Sequence, residues 1–301
     1  AGGMGAGGFA AAGAGLAARP ALALPTYDHV VVVIEENKDL SQWGATNAPY
    51  LTNTLAAGGA QLTNSIALGH PSEPNYLEVF AGYSFGTQGS DGQVPGAMPA
   101  ANATAAQLAI SGTGLGYQNV FSQAISAGKT AVGYSESYNL VRGTDPFAYG
   151  NPASSADPNS PPLTTTPSSL YARKHAPWTN FIGPTGNLTM DNNQDFSAFQ
   201  ATAFADLPAL SIIDPNQCND AHGVGSCSGS QSVGIPIADA WLHNNLDAYA
   251  QWALTHNSLL IVTTDEGNTT IGTQTVTDIN GQTGAVSTIA SVLEALTPRE
   301  A

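Results

Sequence analysis

The sequence predicts an α/β protein with a largely parallel central sheet that is flanked by helices. Apolar, β-branched runs recur along the chain, and such runs are typical of strands that are buried on both faces of a sheet. Helical patterns separate these runs, which favours parallel pairing of the strands. Polar residues follow several of the strands, and ligands of open parallel sheets bind beyond the carboxyl ends of the strands.

The individual elements follow from this pattern in chain order. Strands are predicted at residues 29–34, 130–134, 209–213 and 259–264, and helices at residues 48–57, 74–81, 120–127 and 239–252. Proline in the first turn and glycine after the last residue bound the first two helices. Asp195 is expected to cap a further helix that runs to residue 205. Residues 142–192 show little periodicity, which indicates functional loops or disorder.

The charge of the chain narrows the range of its partners. Among 301 residues there are 22 Asp and Glu but only 7 Lys and Arg, so the formal net charge is −15. This balance argues against a nucleic-acid-binding protein, which needs a basic surface against phosphate groups. It argues equally against binding to an anionic membrane. A small phosphate substrate is compatible with the charge, and a bound metal would then supply the missing positive charge.

The N-terminal residues and the two cysteines predict export. Residues 1–23 are rich in Ala and Gly and end in a cleavage pattern of export signals, with a flexible tail as the alternative. Residues 24–301 are predicted to form one domain. Cys218 and Cys227 are expected to form one local disulfide. The protein is therefore predicted to be secreted, periplasmic or at the cell surface. No segment of the sequence reaches the ~18 consecutive apolar residues that a membrane span requires.

Oxygen ligands and one imidazole follow three of the predicted strands. They are Glu35, Glu36 and Asn37 after the strand at 29–34, Asp214, Asn216, Asp220 and His222 after the strand at 209–213, and Asp265 and Glu266 after the strand at 259–264. Because the carboxyl ends of parallel strands share one edge of the sheet, these side chains are expected to converge. Such sets suit hard or borderline divalent cations. Any single carboxylate could instead cap the following helix, but the three clusters together favour a metal site.

Ser72 lies in the segment HPSEPNY, at the start of a predicted helix. The free N–H groups at a helix N-terminus can bind phosphate and stabilise an alkoxide. Metal coordination of the hydroxyl would activate Ser72 further as a nucleophile. An ordinary Ser-x-Pro turn is the alternative, and the neighbouring His70 either packs this turn or serves the site.

Five motifs occur in one order along the chain. They are EEN after the first strand, GHPSEPNY, YARKHAPW, DPNQCNDAHG and TTDEG. Together they resemble the phosphoesterase family of bacterial and fungal acid phosphatases and phospholipases C, within the alkaline-phosphatase superfamily. The resemblance covers about residues 28–267, and it implies an alkaline-phosphatase-like α/β/α sandwich with one catalytic domain.

The resemblance also implies a set of site residues. A divalent metal ion, of unknown identity, would be held by Glu36, Asn37, Ser72, Asp265 and Glu266. Ser72 would in addition be the nucleophile and form a transient phosphoseryl intermediate. The predicted catalytic residues are Ser72, His175 and His222, and the predicted substrate-binding residues are Asn75, His175, His222 and Asn216. Arg173 and Lys174 are among the few cations available to neutralise a phosphoryl group.

The C-terminal part departs from the family pattern. Members usually continue from the Asp-Glu motif through a further strand to a His-Tyr segment that lines the site. Here 35 residues follow Glu266 and none of them is histidine. Residues 284–296 are predicted to be the helix that normally follows this segment, with the histidine position lost.

The function predicted from these features is that of an exported, metal-dependent phosphomonoesterase that acts through Ser72 on a small phosphate ester. No lipid-binding module or basic amphipathic helix is visible, so a soluble monoester is favoured over a phospholipid. A phosphodiesterase of the phospholipase C type is the enzymatic alternative. A degenerate scaffold that binds phosphate or metal is another, and a secreted adhesive protein is a third. We expect no stable membrane anchor and no nucleic-acid partner, and the oligomeric state stays open.

Overall fold

The computed structural model describes residues 26–87, 89–99, 109, 111–139, 170–223, 231–268, 270–277 and 283–296. Within these ranges the strands are β1 (His29–Glu35), β2 (Ala60–Ala67), β3 (Ala131–Ser135), β4 (Asn193–Asp195), β5 (Leu210–Asp214), β6 (Ser258–Thr264), β7 (Thr270–Thr277) and β8 (Thr283–Leu296). They form one sheet in the order β2-β8-β6-β1-β5-β3-β4. Strand β7 pairs with the N-terminal half of β8 and lies off this path.

Five neighbouring strands, from β6 through β1, β5 and β3 to β4, run parallel. Strand β1 lies between β5 and β6, with Val30 opposite Leu210 on one side and Leu259 on the other. The prediction of a largely parallel central sheet is therefore confirmed. Beyond β6, strands β8 and β2 run antiparallel, which the sequence pattern did not predict.

Helices occur at each predicted position as far as residue 252. The longer ones in the described ranges are α1 (Ser72–Ala81), α2 (Val120–Ser126), α3 (Phe196–Ala201) and α4 (Gln231–Ala253). Shorter turns are π-helical at Leu51–Ala56 and 3-10 helical at Leu40–Gln42, Arg173–His175, Pro177–Phe181, Met190–Asn192 and Phe204–Asp206. Helix α1 begins at Ser72 rather than at residue 74. Asp195 caps α3 through a hydrogen bond from the Ser197 N–H, and α3 ends before residue 205.

Helices and loops cover both faces of the sheet. Val33 of β1 faces the layer that contains α4, where it shares a buried cluster with Leu242. Ile34, the next residue, faces the opposite layer and shares a second cluster with Phe80 of α1 and with Trp178. The alternation of side chains along a strand explains why two adjacent apolar residues serve two separate cores. The predicted α/β/α arrangement is confirmed.

The predicted helix at residues 284–296 is wrong. This segment lies in β8, which pairs antiparallel with β7, β6 and β2. The sequence GAVSTIASVLEAL mixes β-branched residues with Ala, Leu and Glu, so that its local propensity permits either structure. Pairing with three strands decides in favour of the extended form. Strands β2 and β7 were missed because their many polar and small residues hide the apolar alternation.

Several predictions concern residues outside the described ranges. They are the export signal at residues 1–23, the pairing of Cys218 with Cys227, and the irregular structure of residues 140–169. The single domain at residues 24–301 also stays a prediction. The described part of the irregular segment, residues 170–192, consists largely of 3-10 turns. Among the helices that the structure describes, none is long and apolar enough to cross a membrane.

Candidate active site

The predicted strand-end clusters meet at the carboxyl edge of the parallel sheet. Glu35 of β1 lies opposite Thr264 of β6, so the residues that follow these two strands leave the sheet side by side. The Asp265 N–H donates a hydrogen bond to the Glu35 carbonyl at 2.9 Å. On the other side of β1, the Glu36 N–H donates to the carbonyl of Asp220 at 2.6 Å, which ties in the loop after β5.

Ser72 joins these carboxylates as the first residue of α1. Its hydroxyl lies 2.9 Å from Glu36 Oε2 and 3.4 Å from Glu266 Oε1, and the side chain is buried. A hydroxyl carries one hydrogen and can donate it to one of these acceptors at a time. Ser72 is therefore held between two acidic groups at the N-terminus of a helix.

Asn75 fixes the loop that leads into Ser72. It lies one helical turn after the serine, and its Nδ2 donates to Glu266 Oε2 at 3.0 Å and to the Gly69 carbonyl at 2.7 Å. Its Oδ1 accepts hydrogen bonds from the N–H groups of Leu68 and Gly69. The side chain thus orients both the loop and the Glu266 carboxylate.

Asn37 and Asp265 hold the strand ends together. Asn37 has φ 51°, in the left-handed region that Asn tolerates better than most residues. Its N–H donates to Asp265 Oδ1 at 3.2 Å, and its Nδ2 donates to Glu36 Oε2 at 3.3 Å. Asp265 Oδ1 also accepts the Glu266 N–H, while Asp265 Oδ2 is buried without a hydrogen-bond partner.

His175 lies behind Glu36 and is buried. Its Nε2 is 3.1 Å from Glu36 Oε1, and its ring stacks on that of Tyr76 with centroids 5.0 Å apart. Its Nδ1 lies 3.7 Å from Asp214 Oδ1 and 3.8 Å from Asp220 Oδ2. Burial lowers the pKa of His175 to about 4, although Glu36 opposes the shift. The structure thus makes His175 a direct neighbour of Glu36.

A cavity of about 330 Å³ opens above Ser72. Residues in its wall include Asn37, Ser72, Lys174, His222 and Glu266. His222 is half-buried, and its Nδ1 is buried without a hydrogen-bond partner among the described residues. This imidazole is the one predicted catalytic histidine that lines the cavity.

Asn216 lies outside the wall of this cavity. Its Nδ2 donates to Ser137 Oγ at 3.0 Å, and its Oδ1 accepts the N–H of Cys218 at 2.9 Å. Its own N–H donates to Glu136 Oε2 at 3.0 Å. These contacts order the loop after β5. The structure does not bring Asn216 to the other predicted site residues.

The cavity wall includes residues that were not among the predicted site residues, and His70, Lys38 and Asp91 are three of them. His70 Nδ1 lies 2.7 Å from Glu266 Oε1, and the imidazole is 42% exposed. Lys38 is buried, with its Nζ donating to the Asn37 carbonyl at 3.1 Å. Asp91 accepts the Glu73 N–H at 2.9 Å. For His70 the sequence left open whether it packs the turn or serves the site, and the position of Lys38 directly after the EEN motif could have indicated it, whereas nothing in the sequence marks Asp91.

The site concentrates buried negative charge. The buried carboxyl groups at this edge are Glu35, Glu36, Asp214, Asp220, Asp265 and Glu266. Burial and repulsion from Glu36 raise the pKa of Glu266 to about 9. Burial opposes ionisation of Glu36 as well, but the nearby charges of His175, Lys174 and His222 lower its pKa to about 2. For Glu35, Asp214, Asp220 and Asp265, burial and neighbouring carboxylates raise the pKa well above the ordinary value.

The donor chemistry of the site fits a divalent cation. Glu36, Asp265 and Glu266 offer carboxylate oxygens, and Glu36 Oε1 and Asp265 Oδ2 have no hydrogen-bond partner. A cation would also offset the repulsion that raises these pKa values. In their present conformations, no three acidic or imidazole side chains of the described residues enclose a cation. The oxygen donors are present, and binding would require them to turn inward.

The parallel sheet brings the strand-end carboxylates and the buried serine together at one edge of an alkaline-phosphatase-like α/β/α fold. The chain belongs to the Phosphoesterase family, whose sequence model matches residues 35–288. The family that the motifs indicated is thereby confirmed.

Two curated relatives and one solved structure are similar to this chain. The chain is 39% identical over 249 residues to the phosphatidylinositol-3-phosphatase of Mycobacterium tuberculosis, which covers 82% of this chain and 66% of that protein. It is 29% identical over 217 residues to an acid phosphatase of Aspergillus fumigatus, which covers 71% of this chain and 40% of that protein. A Vibrio parahaemolyticus protein of the alkaline phosphatase superfamily shares the fold with a TM-score of 0.50, at 11% identity, over 91% of this chain and 61% of its own. The chain thus spans less than two thirds of each curated relative.

Proposed function

We propose that the protein is an exported, metal-dependent phosphomonoesterase with Ser72 as its nucleophile. The observation that carries the proposal is the position of the Ser72 hydroxyl, between Glu36 and Glu266 at the N-terminus of α1. Membership of the Phosphoesterase family supports it, as do relatives that are named phosphatases.

Glu36, Asn37, Ser72, Asp265 and Glu266 would hold the divalent metal ion. When bound, the ion would supply positive charge against the phosphoryl oxygens and favour ionisation of the serine hydroxyl. The free N–H groups at the start of α1 would add donors for the same oxygens. The low pKa of Glu36 keeps one acceptor ionised beside Ser72 over the whole physiological range.

The reaction would proceed in two displacements at phosphorus. Ser72 Oγ, which loses its proton to solvent, forms a bond to phosphorus while the bond to the leaving alcohol oxygen breaks. His222 donates a proton to the leaving oxygen, since its imidazole lines the cavity. Water then attacks the phosphoseryl group and gives a proton to His222. The P–Oγ bond breaks as phosphate leaves, and Ser72 Oγ regains a proton from solvent.

The test is hydrolysis of an aryl phosphate monoester between pH 4 and pH 9, with and without a chelator. We expect chelator-sensitive activity that falls by about 1,000-fold or more in Ser72→Ala, because no other nucleophile occupies this position. Ser126→Ala changes an exposed serine of α2 and should keep full activity. Activity that survives Ser72→Ala would overturn the serine mechanism. Folded, metal-loaded protein without any turnover would instead favour a phosphate- or metal-binding role.

A phosphorylated lipid is a second candidate substrate. An apolar groove of about 560 Å³ lies between α1 and the sheet, and Asn75 and Asp265 belong to its wall. The relative from Mycobacterium tuberculosis is named for a phosphoinositide. Initial rates on vesicles with phosphatidylinositol 3-phosphate, on phosphatidylcholine vesicles and on the aryl phosphate would rank the substrates. Faster turnover of the phosphoinositide would make the lipid monoester the substrate, and release of phosphocholine would indicate a phospholipase C-type phosphodiesterase.

A further inference from the structure

An ion pair with little exposure lies beside Ser72 in the cavity wall. Lys174 Nζ is 2.7 Å from Asp91 Oδ2, and the two side chains are 10% and 11% exposed. The other oxygen of Asp91 accepts the N–H of Glu73, the residue after Ser72. The pair therefore links residues 89–99, the turn at Arg173–His175 and the start of α1. Removing two charges from water costs free energy, so a buried ion pair at this position suggests a role other than stabilising the fold.

Lys174 differs from the other buried cations near the site. Arg173 donates to Thr179 Oγ1 and to the Met98 carbonyl, and it does not line the cavity. Lys38 lines the cavity, but its Nζ donates back to the carbonyl of Asn37. Lys174 lines the same cavity wall as Ser72, and its ammonium group pairs with Asp91, which also accepts the N–H of the residue after Ser72. The positive charge of Lys174 therefore lies in the wall of the cavity that contains Ser72, the candidate nucleophile.

We propose that Lys174, positioned by Asp91, binds the third non-bridging oxygen of the substrate, which a diester lacks, and so makes the site prefer phosphate monoesters to diesters. This inference rests on the proposed phosphomonoesterase function, and it names the residue that would select monoesters at that site. A monoester dianion presents one more charged oxygen than a diester does. An ammonium group carries a full positive charge and donates hydrogen bonds to negatively charged oxygens, as it does here to Asp91. In a site that excludes most of the water, a charge-assisted hydrogen bond to that oxygen strongly favours monoesters over diesters.

A purely structural role for the pair makes a different prediction. If Lys174 and Asp91 only tie residues 89–99 to α1, their loss should affect all substrates alike. If Lys174 contacts the additional oxygen, its loss should affect monoesters far more than diesters. The ratio of the two specificity constants therefore separates the two roles, even where both activities decline.

The experiment measures kcat/KM for 4-nitrophenyl phosphate and for methyl 4-nitrophenyl phosphate, which share one leaving group. We expect Lys174→Met to lower the monoester value by about 100-fold and the diester value by no more than about threefold. Lys174→Arg keeps the charge and should restore at least part of the ratio. Asp91→Asn should lower the ratio less, chiefly through a higher KM for the monoester. Lys129→Met, at an exposed lysine, should leave both values unchanged.

Each outcome bears on one of the two proposals. Equal losses on both esters in Lys174→Met would overturn the assignment of Lys174 and leave the serine mechanism intact. If that variant does not fold by circular dichroism, an unchanged ratio in Asp91→Asn overturns the assignment in the same way. Wild-type protein that hydrolyses neither ester would overturn the proposed function, and the assignment of Lys174 with it.

Discussion

At the scale of single residues, Glu36 contacts both Ser72 and His175. One of its oxygens accepts the hydrogen bond from Ser72, and the other lies 3.1 Å from His175 Nε2. The histidine itself is 1% exposed, so its effect on the reaction passes through the carboxylate. His175 acts here as a positioning residue for Glu36.

Replacement of His175 tests this connection. His175→Phe keeps the bulk and the contact with Tyr76 but removes the group that favours the ionised form of Glu36, so the pKa of Glu36 should rise. Protons then compete better with the metal, and Mn²⁺ affinity should fall by about tenfold or more near pH 4 and much less near pH 7. Calorimetric titration with Mn²⁺ across this range measures the effect. His175→Gln retains a donor and serves as the control, and an equal loss at every pH would contradict the argument.

At the residue scale the sequence predicted which strand-end side chains converge, because strand ends and motifs locate side chains without knowledge of loops. Ser72, Glu36, Asp265 and Glu266 lie together for that reason. The contact between Lys174 and Asp91 could not be predicted, since 82 residues separate the two along the chain and no periodic element fixes the loop that holds Asp91.

Helix α1 matters at the scale of elements because its first residue is the candidate nucleophile. Gly82 ends this helix with φ 68°, and its N–H donates to the Glu78 carbonyl. Only glycine adopts this left-handed conformation without a steric cost. The position of the last turn therefore depends on a residue that carries no side chain.

Gly82→Ala isolates that backbone effect. A Cβ at this position would meet no atom within 4 Å, so strain in the left-handed conformation is the expected cost. We expect a loss of about 1 kcal/mol in the free energy of unfolding, measured by urea titration. Gly44→Ala is the matched control, because its Cβ is equally unobstructed and its φ is not in the left-handed region. Equal losses in the two variants would show that the helix end does not depend on the left-handed glycine.

The elements that the sequence predicted correctly differ physically from those it did not. The runs HVVVV in β1 and LLIVT in β6 lie in the centre of the sheet, where buried residues alternate with half-buried ones and apolar β-branched residues are favoured. Strands β2, β7 and β8 owe their structure to antiparallel partners that are distant or ambiguous in sequence. Local propensity carries no information about such partners, which is why residues 284–296 were predicted as a helix.

The carboxyl cluster sets the pH dependence of the whole molecule. Glu266 has a pKa of about 9 in the folded protein against an ordinary value of 4.5, so the folded state retains a proton that the unfolded state releases. This contribution to stability is complete below about pH 4.5 and is lost as pH rises toward 9. Glu36 acts in the opposite direction, but only below its ordinary pKa.

Thermal unfolding of the metal-free protein tests whether stability falls as the pH rises. With a chelator present, we expect Tm to fall by roughly 5 °C or more between pH 5 and pH 8. A saturating divalent cation should raise Tm more at pH 8 than at pH 5, because it replaces protons on the same oxygens. Glu266→Gln should flatten the pH dependence, while Asp206→Asn, at an exposed carboxylate, should leave it unchanged. A Tm that rises with pH in the chelator would contradict the raised pKa values.

The position of β8 between β6 and β2 has a consequence for the order of events as the chain leaves the ribosome. In the described chain β2 pairs with β8 alone, and about 220 residues separate Ala67 from its partner Ile289. The five parallel strands and both helical layers can assemble while β2 still lacks a neighbour. Until β8 has been synthesised, β2 presents open backbone donors and acceptors that another nascent copy could pair with. The time between synthesis of β2 and its pairing with β8 therefore sets how long this edge is available for aggregation.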